Sequence, residues 1–322
     1  MYLAFSLVLF WLPERPNGWE ALLVAMGLLT AVGIYDDVWR VSPLVRLFFQ
    51  GGAVLLTTKA GGLAISQFGD LFGLGPVILG TGTVLCTIFC VVGVINAFNM
   101  SDGLDGLAGG FALVAVGWLI VLTQVNPGQH QAEGIALATL AAAIMGFLAF
   151  NLRHPWRARA SVFMGDAGST MLGLVIGWFL IQLSQGETGA IRPMTAVWIL
   201  AVPLLDAVTL MIRRALAGRN PFGADRQHLH HLLQAFGLGH GRVTAMLLLV
   251  AVASGGVGAA ACWLGVPDYV QFYVFISLFV VYYQVTAHIL ARLGVESAQP
   301  AVARRRRLAA WLLLANFRYD NQ

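Results

Sequence analysis

Long apolar runs alternate with short polar loops along the whole chain. The apolar stretches fall at 1–12, 19–35, 44–58, 76–95, 107–125, 132–152, 167–184, 194–212, 243–264 and 269–290. Crossing a bilayer takes roughly 17–25 predominantly apolar residues in a helix, so most of these runs predict transmembrane helices. The first is too short for a full span, and 44–58 is marginal. Met1–Leu12 carries no basic leading segment and no small-residue cleavage site, which argues against a signal peptide; it reads as the back half of a helix. The expected fold is an all-α polytopic membrane bundle. It has about ten transmembrane helices, or eleven in a full-length form. Residues 1–322 form a single transmembrane domain that ends in a basic cytoplasmic tail over 291–322.

Composition agrees. Of the 322 residues, 58% are hydrophobic and 11% charged, against roughly 45–50% and about 25% in soluble domains. So little charge cannot cover a soluble surface, and soluble, disordered and fibrous classes are excluded. The net charge of +4 in a soluble chain would hint at nucleic acid; here the distribution of charge matters more. Ten spans divide the loops into two alternating sets. Counted with loop edges, which brings in Arg46, all the Lys and Arg residues except Arg15, Lys59 and Arg192 fall on one set, comprising 36–43, 96–106, 153–166, 213–242 and the tail. Basic residues concentrate on the cytoplasmic side of membrane proteins, so that set is cytoplasmic. Arg304–Arg307 in the tail reads as a contact for anionic lipid. Cys86, Cys90 and Cys262 all lie in apolar runs and offer no disulfide framework.

The acids carry separate information, because the positive-inside rule does not concern them. Asp36, Asp37, Asp102, Asp105 and Asp166 lie within about one turn of predicted helix ends on the cytoplasmic side. Carboxylates at the hydrocarbon boundary are costly unless they are paired or bind a cation. In Asn96-Ala-Phe-Asn99-Met-Ser-Asp102-Gly-Leu-Asp105-Gly, a carboxamide or carboxylate recurs at every third position. On a helical turn these side chains form a drifting stripe on one face. Hard oxygen ligands of this kind suit Mg²⁺ or Mn²⁺; the other reading is a glycine-rich turn with capping Asn and Asp. Phe163-Met-Gly-Asp166-Ala-Gly-Ser169 opens the next apolar run and places a carboxylate beside helix N-terminal amides that can hold a phosphate oxygen. The loop Asp225-Arg226-Gln227-His228-Leu229-His230-His231 leaves three readings open: zinc, a solvated loop, or donors to a phosphorylated substrate with Arg226 as a fixed charge. Asp206 sits inside an apolar run. It has either a substrate role or a structural ion pair with Arg213 or Arg214.

Taken together, Asp36-Asp37, Asn96-x-x-Asn99-x-x-Asp102-Gly-Leu-Asp105-Gly-Leu, Phe163-Met-Gly-Asp166-x-Gly-Ser169 and Asp225-Arg226-Gln227-His228-x-His230-His231 resemble the polyprenyl-phosphate N-acetylhexosamine-1-phosphate transferases. The resemblance covers roughly residues 19–290. The last motif is similar to that of the branch that uses UDP-N-acetylglucosamine and undecaprenyl phosphate to start O-antigen and related polymers. The resemblance implies an enzyme of the bacterial inner membrane with cytoplasmic catalytic loops. It would move a sugar-1-phosphate from a UDP-sugar to a polyprenyl phosphate and release UMP. It further implies that Asn99 and Asp166 contact Mg²⁺ and that Asp36 or Asp37 orients or deprotonates the lipid phosphate. Asp105 would read the uracil edge. Arg46, Asp102, Arg226, His228, His230 and His231 would bind substrate. The family usually has Lys where Arg46 stands, and its members begin with a further helix and a basic loop ahead of this chain's first run. The partners are the UDP-sugar, the lipid and the membrane, without nucleic acid; a homodimer stays open. The competing readings are a non-catalytic relative and a transporter. A transporter should show mid-membrane charges and broken helices in matching halves, whereas here the acids gather at one face.

Overall fold

The computed structural model describes residues 1–39, 41–125, 128–153, 157, 159–186, 189–221 and 227–293. The basic tail from 294 onward, and with it Arg304–Arg307, lies outside these residues. Among them the chain is all-helical. None of the described residues forms a β-strand, and Gln67 and Ile78 make an isolated antiparallel bridge.

Each of the ten apolar runs forms a helix or a helix pair. Among the described residues the helices in chain order are α1 (Tyr2–Trp11), α2 (Trp19–Trp39), α3 (Pro43–Lys59), α4 (Thr83–Ser101), α5 (Leu107–Thr123), α6 (Gln131–Asn151), α7 (Gly165–Ser184), α8 (Pro193–Ile199), α9 (Ala201–Leu216), α10 (Leu229–Ala235), α11 (His240–Trp263) and α12 (Asp268–Arg292), of which the short α10 lies outside the apolar runs, in the histidine segment. Six are long and apolar enough to cross a membrane: α2, α4 with its preceding 3₁₀ turn, α6, α7, α11 and α12. The pair α8–α9, bent by 82°, makes a seventh if it counts as one span. Of the other apolar runs, α1 has 10 residues and α5 has 17. At 1.5 Å per residue, 17 residues reach only about 25 Å, short of a hydrocarbon core of about 30 Å.

Two boundaries differ from the apolar pattern for identifiable reasons. The run expected to start a span at 76 instead pairs with the preceding segment: Phe68 N–H donates to Val77 O (3.0 Å) and Leu79 N–H to Ser66 O (2.9 Å). Pro76, Gly80 and Gly82 defer the helix to Thr83. The run 194–212 breaks at Leu200. Pro203 has no N–H to give the carbonyl of Ile199, four residues back, and its ring crowds that carbonyl. One helix therefore ends at Ile199 and the next begins at Ala201. Among the described residues this is the one bent pair, so the matching broken helices expected of a transporter do not appear there.

The bundle is organised around α7. In its most apolar window 78% of residues are buried, against 11% in α12. The helices α2 and α4 make the most extensive contacts with it, and glycine permits both approaches. A Cβ on Gly33 of α2 would stand 2.3 Å from Ala167 Cα, and one on Gly173 of α7 would stand 2.6 Å from Ile95 Cα of α4. The first contact brings the end of α2 against the start of α7. Overpacking such a contact costs about 1–3 kcal/mol or more. Gly33→Ala is therefore expected to lower the unfolding temperature of the purified protein, whereas an alanine at Gly52, which has open space around it, should leave it nearly unchanged.

Candidate active site

The close α2–α7 and α4–α7 contacts gather five of the singled-out side chains at one end of α7. Asp166, in the first turn of α7, is the centre. Its Oδ2 accepts from Arg46 Nη1 of α3 at 2.6 Å, and its Oδ1 accepts from Asn99 Nδ2 of α4 at 2.6 Å. Asn99 Nδ2 also donates to Ser169 Oγ at 3.0 Å. The Asp166 backbone N–H donates to Asp37 Oδ1 of α2 at 3.1 Å, and Arg46 Nη1 reaches Asp36 Oδ2 at 3.0 Å. Arg46 therefore bridges two carboxylates that would otherwise repel each other.

The adjacent acids are not equivalent. The Asp36 side chain is 7% exposed and is pinned by the Val41 N–H at 2.5 Å as well as by Arg46. Asp37 is exposed. The buried member anchors Arg46 and the exposed member faces outward, a difference that adjacency in the sequence does not reveal.

The four-fold stripe predicted for Asn96, Asn99, Asp102 and Asp105 does not persist. The helix α4 ends at Ser101, so only the two asparagines lie on it. Asn96 Nδ2 donates to Gln50 Oε1 and to Val92 O, each at 2.8 Å, and makes no recorded bond to Asp166. Asp102 caps the helix, and a tight turn follows, in which Gly106 takes φ +79°. Asn151 staples this turn: its Oδ1 accepts from Gly106 N–H (2.7 Å) and its Nδ2 donates to Val162 O (2.7 Å). The turn distributes its residues to three neighbours. Burial, and then the nearby Asp166 charge, push the Asp102 carboxyl up to about 7 against the pull of the Gly165 amide. Gly103 meets His230, whose Nε2 lies 2.3 Å from where a Cβ would stand. Asp105 pairs with Arg153 Nε at 2.5 Å.

The histidine segment is largely interior. His228 and His230 are 6% and 2% exposed. His228 Nδ1 lies 2.8 Å from Asp206 Oδ2, and its ring stacks on His230 with 5.4 Å between centroids and 8° between planes. Burial, and then the His231 and His228 rings, push the His230 imidazole down to about 3, so it is neutral at physiological pH. His231 is less buried, with its ring 4.1 Å from that of His230. These contacts take His228 and His230 out of a solvated loop. Among the described residues no group of three His, Cys, Asp or Glu could hold a metal by itself. Arg226, the expected fixed charge, lies outside the described residues, as does Asp225.

Asp206 has partners other than those its sequence neighbourhood suggested. Besides His228, it accepts from Leu229 N–H and Tyr282 OH, each at 2.9 Å. Arg213, one candidate for an ion pair, turns to Tyr283 O (2.7 Å) and Thr286 Oγ1 (2.5 Å) of α12. Sequence reasoning missed Tyr282, which looked like one aromatic residue among many in an apolar run, and Asn151, a polar residue at a helix end.

Comparison with known proteins places this geometry in a family. The model of glycosyl transferase family 4 matches residues 19–184, the stretch from α2 to α7 that supplies the Asp166 cluster. Undecaprenyl-phosphate alpha-N-acetylglucosaminyl 1-phosphate transferase of Escherichia coli (strain K12) is 35% identical over 279 residues, covering 86% of this chain and 74% of its own. The protein of the same name from Yersinia pestis is 36% identical over 265 residues (81% and 71%). That from Haemophilus influenzae is 34% identical over 265 residues (82% and 74%). With a match over half its length and relatives that similar over most of theirs, the chain belongs to glycosyl transferase family 4.

Proposed function

We propose that the protein transfers N-acetylhexosamine-1-phosphate, with N-acetylglucosamine as the sugar, from a UDP-sugar to undecaprenyl phosphate and releases UMP. In this reading it works at the cytoplasmic face of a bacterial inner membrane within a ten-span topology, and makes the first lipid-linked intermediate of a cell-surface polysaccharide. The observation that carries it is the convergence of Arg46, Asn99 and Asp37 on Asp166 at the N-terminal end of α7.

In the reaction an oxygen of the lipid phosphate attacks the sugar-bearing phosphorus. A new P–O bond forms, the bond to the bridging oxygen breaks, and UMP leaves with that oxygen. Two anions must meet, so charge repulsion forms part of the barrier. Asp37, exposed beside Asp166, is the carboxylate placed to take any proton on the incoming lipid phosphate. Asp36, buried against Arg46, holds the cationic bridge. Asp105, set by Arg153, is the carboxylate for the uracil edge, and the histidine segment supplies donors to the phosphates. Direct attack by the lipid needs no covalent enzyme intermediate; trapping a phosphorylated Asp37 would replace it with a two-step route.

The donor set suits Mg²⁺. Asp166 provides a carboxylate. Asn99 makes both of its bonds through its amide nitrogen, leaving its carbonyl oxygen for a cation. Mg²⁺ usually takes one or two carboxylates and completes its octahedron with water and substrate phosphates. Once bound, it would neutralise the diphosphate and stabilise the departing UMP. The test is UMP release from several UDP-sugars with undecaprenyl phosphate and Mg²⁺. A chelator should abolish turnover, and added Mg²⁺ should restore it. Turnover that survives chelation would reject the metal, and no turnover with any UDP-N-acetylhexosamine would reject the transferase.

A further inference from the structure

We infer that Asp206, with Tyr282, is a positioning residue of the transfer reaction, holding His228 so that its Nε2 is the ring nitrogen offered to a substrate phosphate. The inference rests on the transferase reading above.

Asp206 stands just beyond the Leu200 break, with its side chain 14% exposed. Three donors from other elements converge on it. Oδ1 takes the backbone N–H of Leu229, at the start of α10, and the hydroxyl of Tyr282 from α12. Oδ2 faces His228 Nδ1 at 2.8 Å. One carboxylate thus joins the broken span, the histidine segment and the last helix.

A role confined to neutralising charge would not need this arrangement, because Arg213 lies on the same helix and turns instead to Tyr283 and Thr286. An ionised carboxylate and a phosphate oxygen can both only accept, so with substrate bound Nδ1 donates to Asp206 and Nε2 donates to the phosphate, and the Asp206 charge stabilises the ring that carries both protons. His228 also stacks on His230, and His230 meets Gly103 in the turn between Asp102 and Asp105. The orientation fixed at Asp206 is therefore passed to the side chains nearest the Asp166 cluster.

The experiment is a double-variant cycle read as UMP release by the purified full chain. Asp206→Asn keeps the shape of the side chain but removes the negative charge that supports a ring donating from both nitrogens. It should lower kcat on the order of 10²-fold, the scale of a misplaced catalytic group, with KM for UDP-N-acetylglucosamine within about threefold of wild type. His228→Gln should show a similar loss, and the double variant should be no worse than the poorer single variant, because the two act as one unit. Tyr282→Phe removes a single hydroxyl and should give a smaller loss, of about 3–10-fold, that also vanishes in the His228→Gln background. If Asp206→Asn does not fold, the cycle with Tyr282→Phe decides alone. Losses that multiply in the double variant would overturn the proposal. So would an Asp206→Asn enzyme within about twofold of wild type, or a loss that tracks only the folded fraction. Wild-type protein that releases no UMP removes the transferase reading and this proposal together; wild-type turnover with multiplicative losses removes this proposal alone.

Discussion

Asp166→Asn should lower UMP release by about 10³-fold or more while the protein still folds. The Asp166 side chain is 30% exposed, so its removal opens no buried cavity. The Arg46–Asp36 pair at 3.0 Å survives it, and the backbone bond from residue 166 to Asp37 does not depend on the side chain. What disappears is the one anion on which Arg46 and Asn99 converge, together with a candidate ligand of the metal. The check is initial UMP release at saturating UDP-N-acetylglucosamine and lipid, with gel-filtration behaviour and melting temperature measured alongside. Activity above about a tenth of wild type would remove Asp166 from the chemistry.

Arg46 gives the second large effect, and here the nature of the replacement matters. Arg46→Met leaves Asp36 and Asp166 facing each other with no cation between them. Like charges this close repel, so the site loses the charge balance and the geometry that the bridge maintains. A fall in kcat of about 10²-fold is expected, read as initial UMP release at saturating substrates. Arg46→Lys keeps a point charge but not the planar fork. Both recorded bonds leave from the single nitrogen Nη1, so an ammonium at that position can replace it, and activity within about fivefold of wild type is expected. An Arg46→Lys enzyme as poor as Arg46→Met would show that the fork geometry, rather than the charge, is what the site requires.

The two features differ in how far they could be read from sequence. The helices were legible because apolar length is a local property; each apolar run became a helix or a helix pair. The Asp166 cluster was legible because its members announce themselves as carboxylates and carboxamides at helix ends, where such groups need a reason to be. What could not be read was direction. Nothing local says that Asp36 is buried while Asp37 is exposed, or that the regular spacing from Asn96 to Asp105 is cut by a turn after Ser101. Asp206 shows the same limit. Its neighbours along the helix suggested arginine, but its partners come from 22 and 76 residues away. The break near Pro203 is an intermediate case: the residue was visible, and its consequence follows from the missing N–H.

The unequal burial of α7 and α12 bears on how the protein responds to its lipid surroundings. With protein on nearly every side, α7 has little contact with acyl chains. Among the described residues little covers α12, of whose most apolar window 11% is buried. A thinner bilayer or a short-chain detergent is accommodated first by tilting of peripheral helices, at a modest cost per ångström of mismatch. Such a tilt leaves Asp166 and its partners in place, since α2, α4 and α7 are locked backbone to backbone at Gly33 and Gly173. It reaches the interior through the Tyr282 hydroxyl, which links the lipid-facing helix to Asp206. Membrane thickness therefore acts on the histidine side of the site before it acts on the carboxylate side.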